Sequence, residues 1–368
     1  MPHETESTLE RLRRVLLELR ERTPANGFTH SEAAMSDLRT GYIDGVPVKR
    51  LVITLRSPGC EWVRRGGGCI MCGHHAGTTH GVVPSANDFM TQFETELHRY
   101  NLKDIEVISI YNSGSMLNQA ELPAEALKEI LRHISRLPRV KKVVLESRAE
   151  YVDQEVIAEY TDILGKDKRL SIAIGLETAN DVYRELCLNK GVTSADISAA
   201  VKSLKGLAET QIYVFLGIPF LTEREMLDDT IQTLRYAAEL GADEIHIEPA
   251  TLQEHTLLKG LAALDMFRLP SLYSLYEALK AVVPEICPYV SPFMHMPLPE
   301  RIPEGCPKCT DRLIEGLLGR YNIEHTVESL DYEDCACQSE WRERLVETDP
   351  RPIETRIAAA LDALEDSR

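Results

Sequence analysis

The sequence is 368 residues long, with 43% hydrophobic and 27% charged residues, a balance that packs a core and excludes global disorder. No run approaches the roughly 18 uninterrupted apolar residues of a membrane helix. The N-terminus, MPHETESTLERLRRVLLELRER, lacks the apolar core of a secretory signal, which points to the cytoplasm. Its 41 basic against 58 acidic residues give a net charge of −17, which opposes nonspecific nucleic-acid binding by the whole surface.

In chain order, Leu9, Leu12, Leu16 and Leu19 recur at helical spacing and predict an amphipathic helix over 7–22. Residues 23–47, with Pro24, Gly27, Gly41 and Gly45, read as a connection with little regular structure. Apolar runs of strand length then fall at 50–55, 105–110, 140–145, 170–176, 211–216 and 244–247. Helical patterns lie between them at 85–101, 123–136, 153–165, 193–208 and 222–240. Strands alternating with helices imply parallel pairing through crossovers, hence an α/β sheet or barrel. Past about 270 the rhythm stops. Pro284, Pro288, Pro292, Pro297, Pro299 and Pro303 crowd one segment, and ETRIAAALDALEDS closes as a surface helix. The expected division is 1–47 as helix and connection, 48–270 as the α/β unit, and 271–368 as a small metal-binding module with a terminal helix.

Seven of the nine cysteines fall in three groups: Cys60, Cys69 and Cys72; Cys306 and Cys309; Cys335 and Cys337. In a reducing compartment such clusters favour metal ligation over disulfides. Cys187 and Cys287 stand apart and read as small buried hydrophobes. The first group, SPGCEWVRRGGGCIMCGHH, follows the first strand as C-x8-C-x2-C. Three thiolates are one short of a closed tetrahedral site, so the set suits a catalytic zinc or a 4Fe–4S cluster with one free iron. The alternatives are half of a structural zinc site or a thioredoxin-like pair. His74 and His75, just beyond, read as loop residues, the alternative being that they tune a cluster or touch substrate. The C-terminal C-x2-C and C-x-C offer four thiolates for one closed zinc, with a second cluster as the rival.

Three cysteines after the first strand of a six-fold βα chain resemble the radical S-adenosylmethionine (SAM) superfamily, whose members fold as partial (β/α)6 TIM-like barrels. The superfamily more often spaces its cysteines C-x3-C-x2-C, and the wider first gap resembles certain tRNA-modifying branches. The resemblance implies a 4Fe–4S cluster on Cys60, Cys69 and Cys72, with SAM chelated at its free iron. It also implies SAM contacts from the Asn112-Ser113-Gly114-Ser115 turn and from Glu146, Glu177 and Lys190. Gly217-Ile218-Pro219-Phe220 stands where related enzymes have a turn near the adenine. The expected fold is therefore a partial radical SAM barrel with a small cysteine-containing C-terminal module.

The segments SPGC…GGGCIMCG and DCACQSEW, without an N-terminal cysteine domain or an appended acetyltransferase or RNA-binding barrel, argue against methylthiotransferases and the Elongator subunit. They resemble RaSEA, the family of radical SAM subunits of archaeosine synthase. That resemblance implies a carbon–nitrogen lyase acting on tRNA through 5′-deoxyadenosyl radical chemistry. Its substrate would be the lysine adduct of 7-cyano-7-deazaguanine made by an ArcS-like lysine transferase, its product archaeosine, and an electron donor would be required. Basic clusters occur at Lys49-Arg50, Arg56, Arg64-Arg65 and Arg139/Lys141/Lys142; the Arg64-Arg65 pair, inside the cysteine loop, reads either as a phosphate contact or as solvated loop charge. Two further readings stand: another radical SAM enzyme acting on a small molecule or a different tRNA base, and a non-catalytic metal-binding scaffold.

Overall fold

Successive side chains of a strand point to opposite faces, and this sets the architecture of the computed structural model, which describes residues 6–25, 27–293 and 297–367. Strands β1 (Met35–Ile43), β2 (Val46–Thr54), β3 (Ile105–Tyr111), β4 (Lys142–Ser147), β5 (Arg169–Glu177), β6 (Glu209–Leu216), β7 (Glu244–Pro249) and β8 (Tyr289–Val290) form one sheet in sequence order. The pairs from β2 to β8 are parallel and β1 is antiparallel to β2. The six expected strands are thus β2–β7, the parallel staves of a partial (β/α)6 barrel.

One face of each strand packs outward. Ile108, Ile110, Val143, Leu145, Ile172, Ile174, Ile212, Val214 and Ile247 join the main core beneath the helices. The opposite face closes the bottom of the lumen with Val107, Val144 and Ala173, against Ile43, Val48 and Tyr213. Higher in the lumen the inward side chains become polar.

Helices α1 (Thr8–Glu21), α2 (Glu61–Gly66), α3 (Ala86–Leu97), α4 (Ala124–Ser135), α5 (Gln154–Leu164), α6 (Ser194–Leu204) and α7 (Glu223–Glu239) match the expected helical segments, apart from α2 inside the cysteine loop. Several starts are fixed locally by reciprocal capping boxes: Ser7 with Glu10, Ser85 with Asp88, Thr193 with Asp196, and Thr222 with Glu225.

The 23–47 segment departs from expectation. Instead of an irregular connection it holds β1, joined to β2 by Asp44 (φ 51°) and Gly45 (φ 78°). An Asp-Gly pair is the two-residue turn that matches strand twist, and the charges along MSDLRTGYI masked the strand pattern. β1 and β8 are the sheet's edges. Tyr42 and Tyr289 stack across the gap between them with centroids 3.8 Å apart.

The C-terminal segment carries α8 (Leu257–Ala263), α9 (Leu272–Lys280), α10 (Thr310–Glu315), α11 (Asn322–Glu324), α12 (Gln338–Val346) and α13 (Ile353–Asp366). Leu313, Leu317, Tyr321, Leu330, Trp341, Ile357 and Leu361 belong to the same core as the barrel. Glu223 of α7 ties the segment down, accepting from Ser271 N at 2.9 Å and from the Ser274 hydroxyl, and pairing with Arg344 of α12.

Candidate metal and cofactor site

The C-terminal ends of the strands converge on one cavity, as in barrel enzymes generally. Its lining includes Cys60, Cys69 and Cys72, Ser113 and Gly114, Glu146 and Arg148, Glu177 and Lys190, and Glu248. The cysteine loop reaches this position through close backbone packing. A Cβ on Gly67 (φ 80°) would lie 2.5 Å from Leu16 Cβ of α1, so only glycine fits. From α1, the buried Arg20 donates to the carbonyls of Gly67 (2.9 Å), Cys69 (3.0 Å) and His255 (2.9 Å). From the other side, Asn189 Nδ2 donates to the carbonyls of Gly66 (2.7 Å) and Gly68 (2.9 Å), while Trp62 Nε1 donates to Asn189 O (2.7 Å).

The Asn112–Ser115 turn is locked to that loop by a residue the sequence did not single out. Glu121, fully buried, accepts from Ser115 N at 2.6 Å and from Glu61 N at 2.8 Å. A Cβ on Gly114 would meet Glu121 Oε2 at 2.0 Å and Cys60 N at 3.1 Å. Ser113 (φ 58°) and Gly114 line the cavity; Asn112 and Ser115 stand behind them and brace the turn.

On the facing wall, Lys190 Nζ lies 2.6 Å from Glu177 Oε1. Glu177 has the left-handed φ of 63° at a break in the β5–β6 register, a strained backbone of the kind found at functional sites. Both side chains cross over Gly175, where a Cβ would meet Glu177 Oε1 at 2.3 Å and Lys190 Nζ at 2.4 Å. Burial pushes the Glu146 carboxyl up to about 7, against the lowering pull of Lys190. The Gly217–Phe220 turn does not line the cavity; a Cβ on Gly217 would meet Ala250 Cβ at 2.4 Å, which puts it against the wall's outer packing.

The donor set fits a thiolate-held iron–sulfur cluster. Burial pushes the Cys60 thiol up to about 12 and raises Cys72, so metal binding there releases protons and creates the thiolates that face Arg20. Arg20 is 5% exposed, and the charges that support its protonated form against burial are those of Cys72, Cys69 and Cys60. Arg148 likewise feels Cys60 and Cys69, which with Glu150 outweigh the cost of its burial. A buried cation without a carboxylate is expensive unless an anion joins it, and three thiolates supply that anion. Among the described residues the trio does not form a group with all sulfurs within 4.8 Å, so it is not a tripod around one ion.

The C-terminal cysteines do form such a group. Cys306 and Cys309 lie 3.7 Å apart (Sγ to Sγ), Cys306 and Cys335 3.5 Å, and Cys309 and Cys337 3.5 Å. Tyr273 Oη stands 3.5 Å from Cys309 Sγ and 3.3 Å from Cys337 Sγ. Four thiolates at about 2.3 Å from one zinc have sulfur–sulfur edges of roughly 3.8 Å, close to this arrangement.

Several expectations need correction. Cys187 is buried, but Cys287 is exposed, with its thiol 3.5 Å from Pro284 O. Of the basic clusters, Arg50, Arg56 and Lys142 are buried. Arg56 donates to backbone carbonyls of Glu32, Ala33 and Gly77, and Lys142 sits between Glu209 and Glu244. Arg64 bonds within its own loop to Gly59 O (3.2 Å), while Arg65 is exposed and pairs with Glu61 at 2.6 Å. His74 lines the cavity, whereas burial and His80 pull His75 down to about 4.

No protein-family model matches the chain. It is 32% identical to archaeosine synthase subunit beta of Methanosarcina acetivorans, over 91% of this chain and 96% of that protein. It is 31% identical to archaeosine synthase subunit beta of Thermococcus kodakarensis, over 64% of this chain and 73% of that protein. Among solved structures, methylornithine synthase aligns with a TM-score of 0.47 at 12% identity, over 78% of this chain and 72% of that one. The archaeal Methanocaldococcus infernus Elp3 aligns with a TM-score of 0.46 at 13% identity, over 61% and 57%. With a relative matched almost end to end and the cysteines gathered at the strand ends, this chain belongs to the archaeosine synthase subunit beta family.

Proposed function

We propose that the chain is a radical SAM carbon–nitrogen lyase of tRNA modification, which converts the lysine adduct of 7-cyano-7-deazaguanine to archaeosine. The observation that carries this reading is the near-full-length match to an archaeosine synthase subunit beta, in a chain whose three clustered cysteines open on one cavity. A 4Fe–4S cluster with SAM supplies, when bound and reduced, a radical that abstracts hydrogen from an unactivated carbon.

The chain's own groups position and isolate that chemistry. Cys60, Cys69 and Cys72 hold the cluster, and Arg20 and Arg148 balance its charge. Ser113 and Gly114 offer a small-residue surface to SAM, braced by Asn112 and Ser115. Glu146, Glu177 and Lys190 supply the polar contacts opposite. The lumen walls keep water from the radical and bring the carbon beside the adduct nitrogen into reach. Cys306, Cys309, Cys335 and Cys337 hold zinc, a reading supported by edges of 3.5–3.7 Å that suit a single ion. The partners are tRNA, an ArcS-like lysine transferase and an electron donor.

Anaerobic reconstitution followed by reduction with SAM tests the reading. The expected result is 5′-deoxyadenosine together with archaeosine when lysine-modified tRNA is present. Product from a small molecule without tRNA would favour another radical SAM activity, and absence of cluster absorbance would favour a metal-binding scaffold.

A further inference from the structure

We infer that Arg39, Arg50 and Glu248 clamp the zwitterionic head of an α-amino acid arm on the substrate, the guanidinium groups taking its carboxylate and the glutamate its ammonium. The inference rests on the lyase reading above, which brings a lysine arm to this cavity. All three residues line it, on strands whose contributions the cluster and SAM assignments leave unused.

Arg50 carries the argument. It is 9% exposed, and its buried Nε has no hydrogen-bond partner. Gly41 on the neighbouring strand makes room for it, since a Cβ there would stand 2.9 Å from Arg50 Cβ. Arg39 is directly opposite Arg50 in the β1–β2 register, with its side chain 13% exposed. Its carboxylate partner, Asp37 at 3.2 Å, is half exposed and a weak counterion. Two adjacent guanidinium groups, one with an orphaned buried N–H, make a site that is incomplete without an anion. The fork geometry of guanidinium suits a carboxylate.

Glu248 supplies the complementary acceptor at the end of β7. It accepts a hydrogen bond from the Ser291 hydroxyl; burial raises its carboxyl, and Arg39 together with an entering ammonium favours the ionised form. One cavity therefore offers paired cationic groups and an acidic group that an ammonium would ionise. An α-amino acid head presents the matching carboxylate and ammonium on a single carbon. With the head held on these strands, the rest of the arm extends toward the wall that carries Cys60, Cys69 and Cys72.

The test titrates the holoenzyme, with cluster and SAM bound, with Nε-acetyl-L-lysine, whose head is free and whose far end is an amide. It compares N-acetyl-1,5-diaminopentane, which lacks the carboxylate, and 6-acetamidohexanoate, which lacks the ammonium. The parent protein is expected to prefer acetyl-lysine about tenfold or more over either. Arg50→Gln or Arg39→Gln should erase the preference over the diamine analogue alone, and Glu248→Gln the preference over the hexanoate alone. SAM affinity should stay unchanged in all three variants. Equal loss for every arm, loss of SAM affinity, or no preference in the parent would overturn the clamp. Turnover of lysine-modified tRNA, measured in parallel, separates the two readings. Preference without turnover removes the lyase and keeps the clamp; turnover without preference does the reverse.

Discussion

At Glu248, burial raises the carboxyl from its usual 4.5 to about 8, with Glu177 and Glu146 adding to the rise and the Ser291 hydroxyl and Arg39 opposing it. The folded chain therefore keeps a proton that the unfolded chain loses above about 4.5. The resulting stability is fully present below that pH and is lost as pH rises through about 8. Glu248→Gln cannot ionise, so its unfolding free energy, followed by melting at each pH, is expected to gain on the parent's between pH 6 and 8.5, by roughly 2 kcal/mol after allowance for the open cavity. A difference flat with pH would mean an ordinary carboxylate. At this scale the gathering of Cys60, Cys69 and Cys72 on one cavity was legible because C-x8-C-x2-C is a local pattern. Arg20 and Glu121 were not, since an arginine in an amphipathic helix and a glutamate in a loop look the same whether they face solvent or a neighbouring backbone carbonyl or N–H.

Among the elements, α1 has the largest effect on the site relative to what its sequence announced. Its helical pattern was clear from Leu9, Leu12, Leu16 and Leu19, but periodicity does not reveal what a helix packs on. Here Leu12, Val15, Leu16 and Arg20 are buried, with Leu16 against Gly67 of the cysteine loop. Arg20→Met keeps much of the apolar stem while removing the three carbonyl contacts. It is expected to lower stability by about 3 kcal/mol and to reduce iron and sulfide retained after reconstitution, read by melting and by metal analysis. Unchanged iron in a destabilised variant would confine Arg20 to packing. The six parallel strands were legible because buried staves read as continuous apolar runs. β1 was hidden by its charges, and the two-residue β8 is too short to carry a pattern.

Over the whole molecule, the barrel and the C-terminal cysteine module share one core. If Cys306, Cys309, Cys335 and Cys337 hold a metal as proposed, its chelation is therefore expected to lower the melting temperature of a single transition, followed by fluorescence or calorimetry, instead of splitting it in two. With Cys60, Cys69 and Cys72 all changed to serine, metal analysis should find one zinc and no iron per chain. Iron in that variant would point to a second cluster. The crowded prolines and paired cysteines read as a small metal-binding module, and nothing in them showed that α9 and α12 would pack on α7 and bury Tyr276 and Trp341. The pairing of α1 with α13, through Arg11 to Asp362 (2.7 Å) and to Glu365 (2.6 Å), has a consequence for biogenesis. The helix that buttresses the cysteine loop receives its own outer brace only when residues made more than three hundred positions later have left the ribosome, so iron delivered during translation would meet a half-built socket.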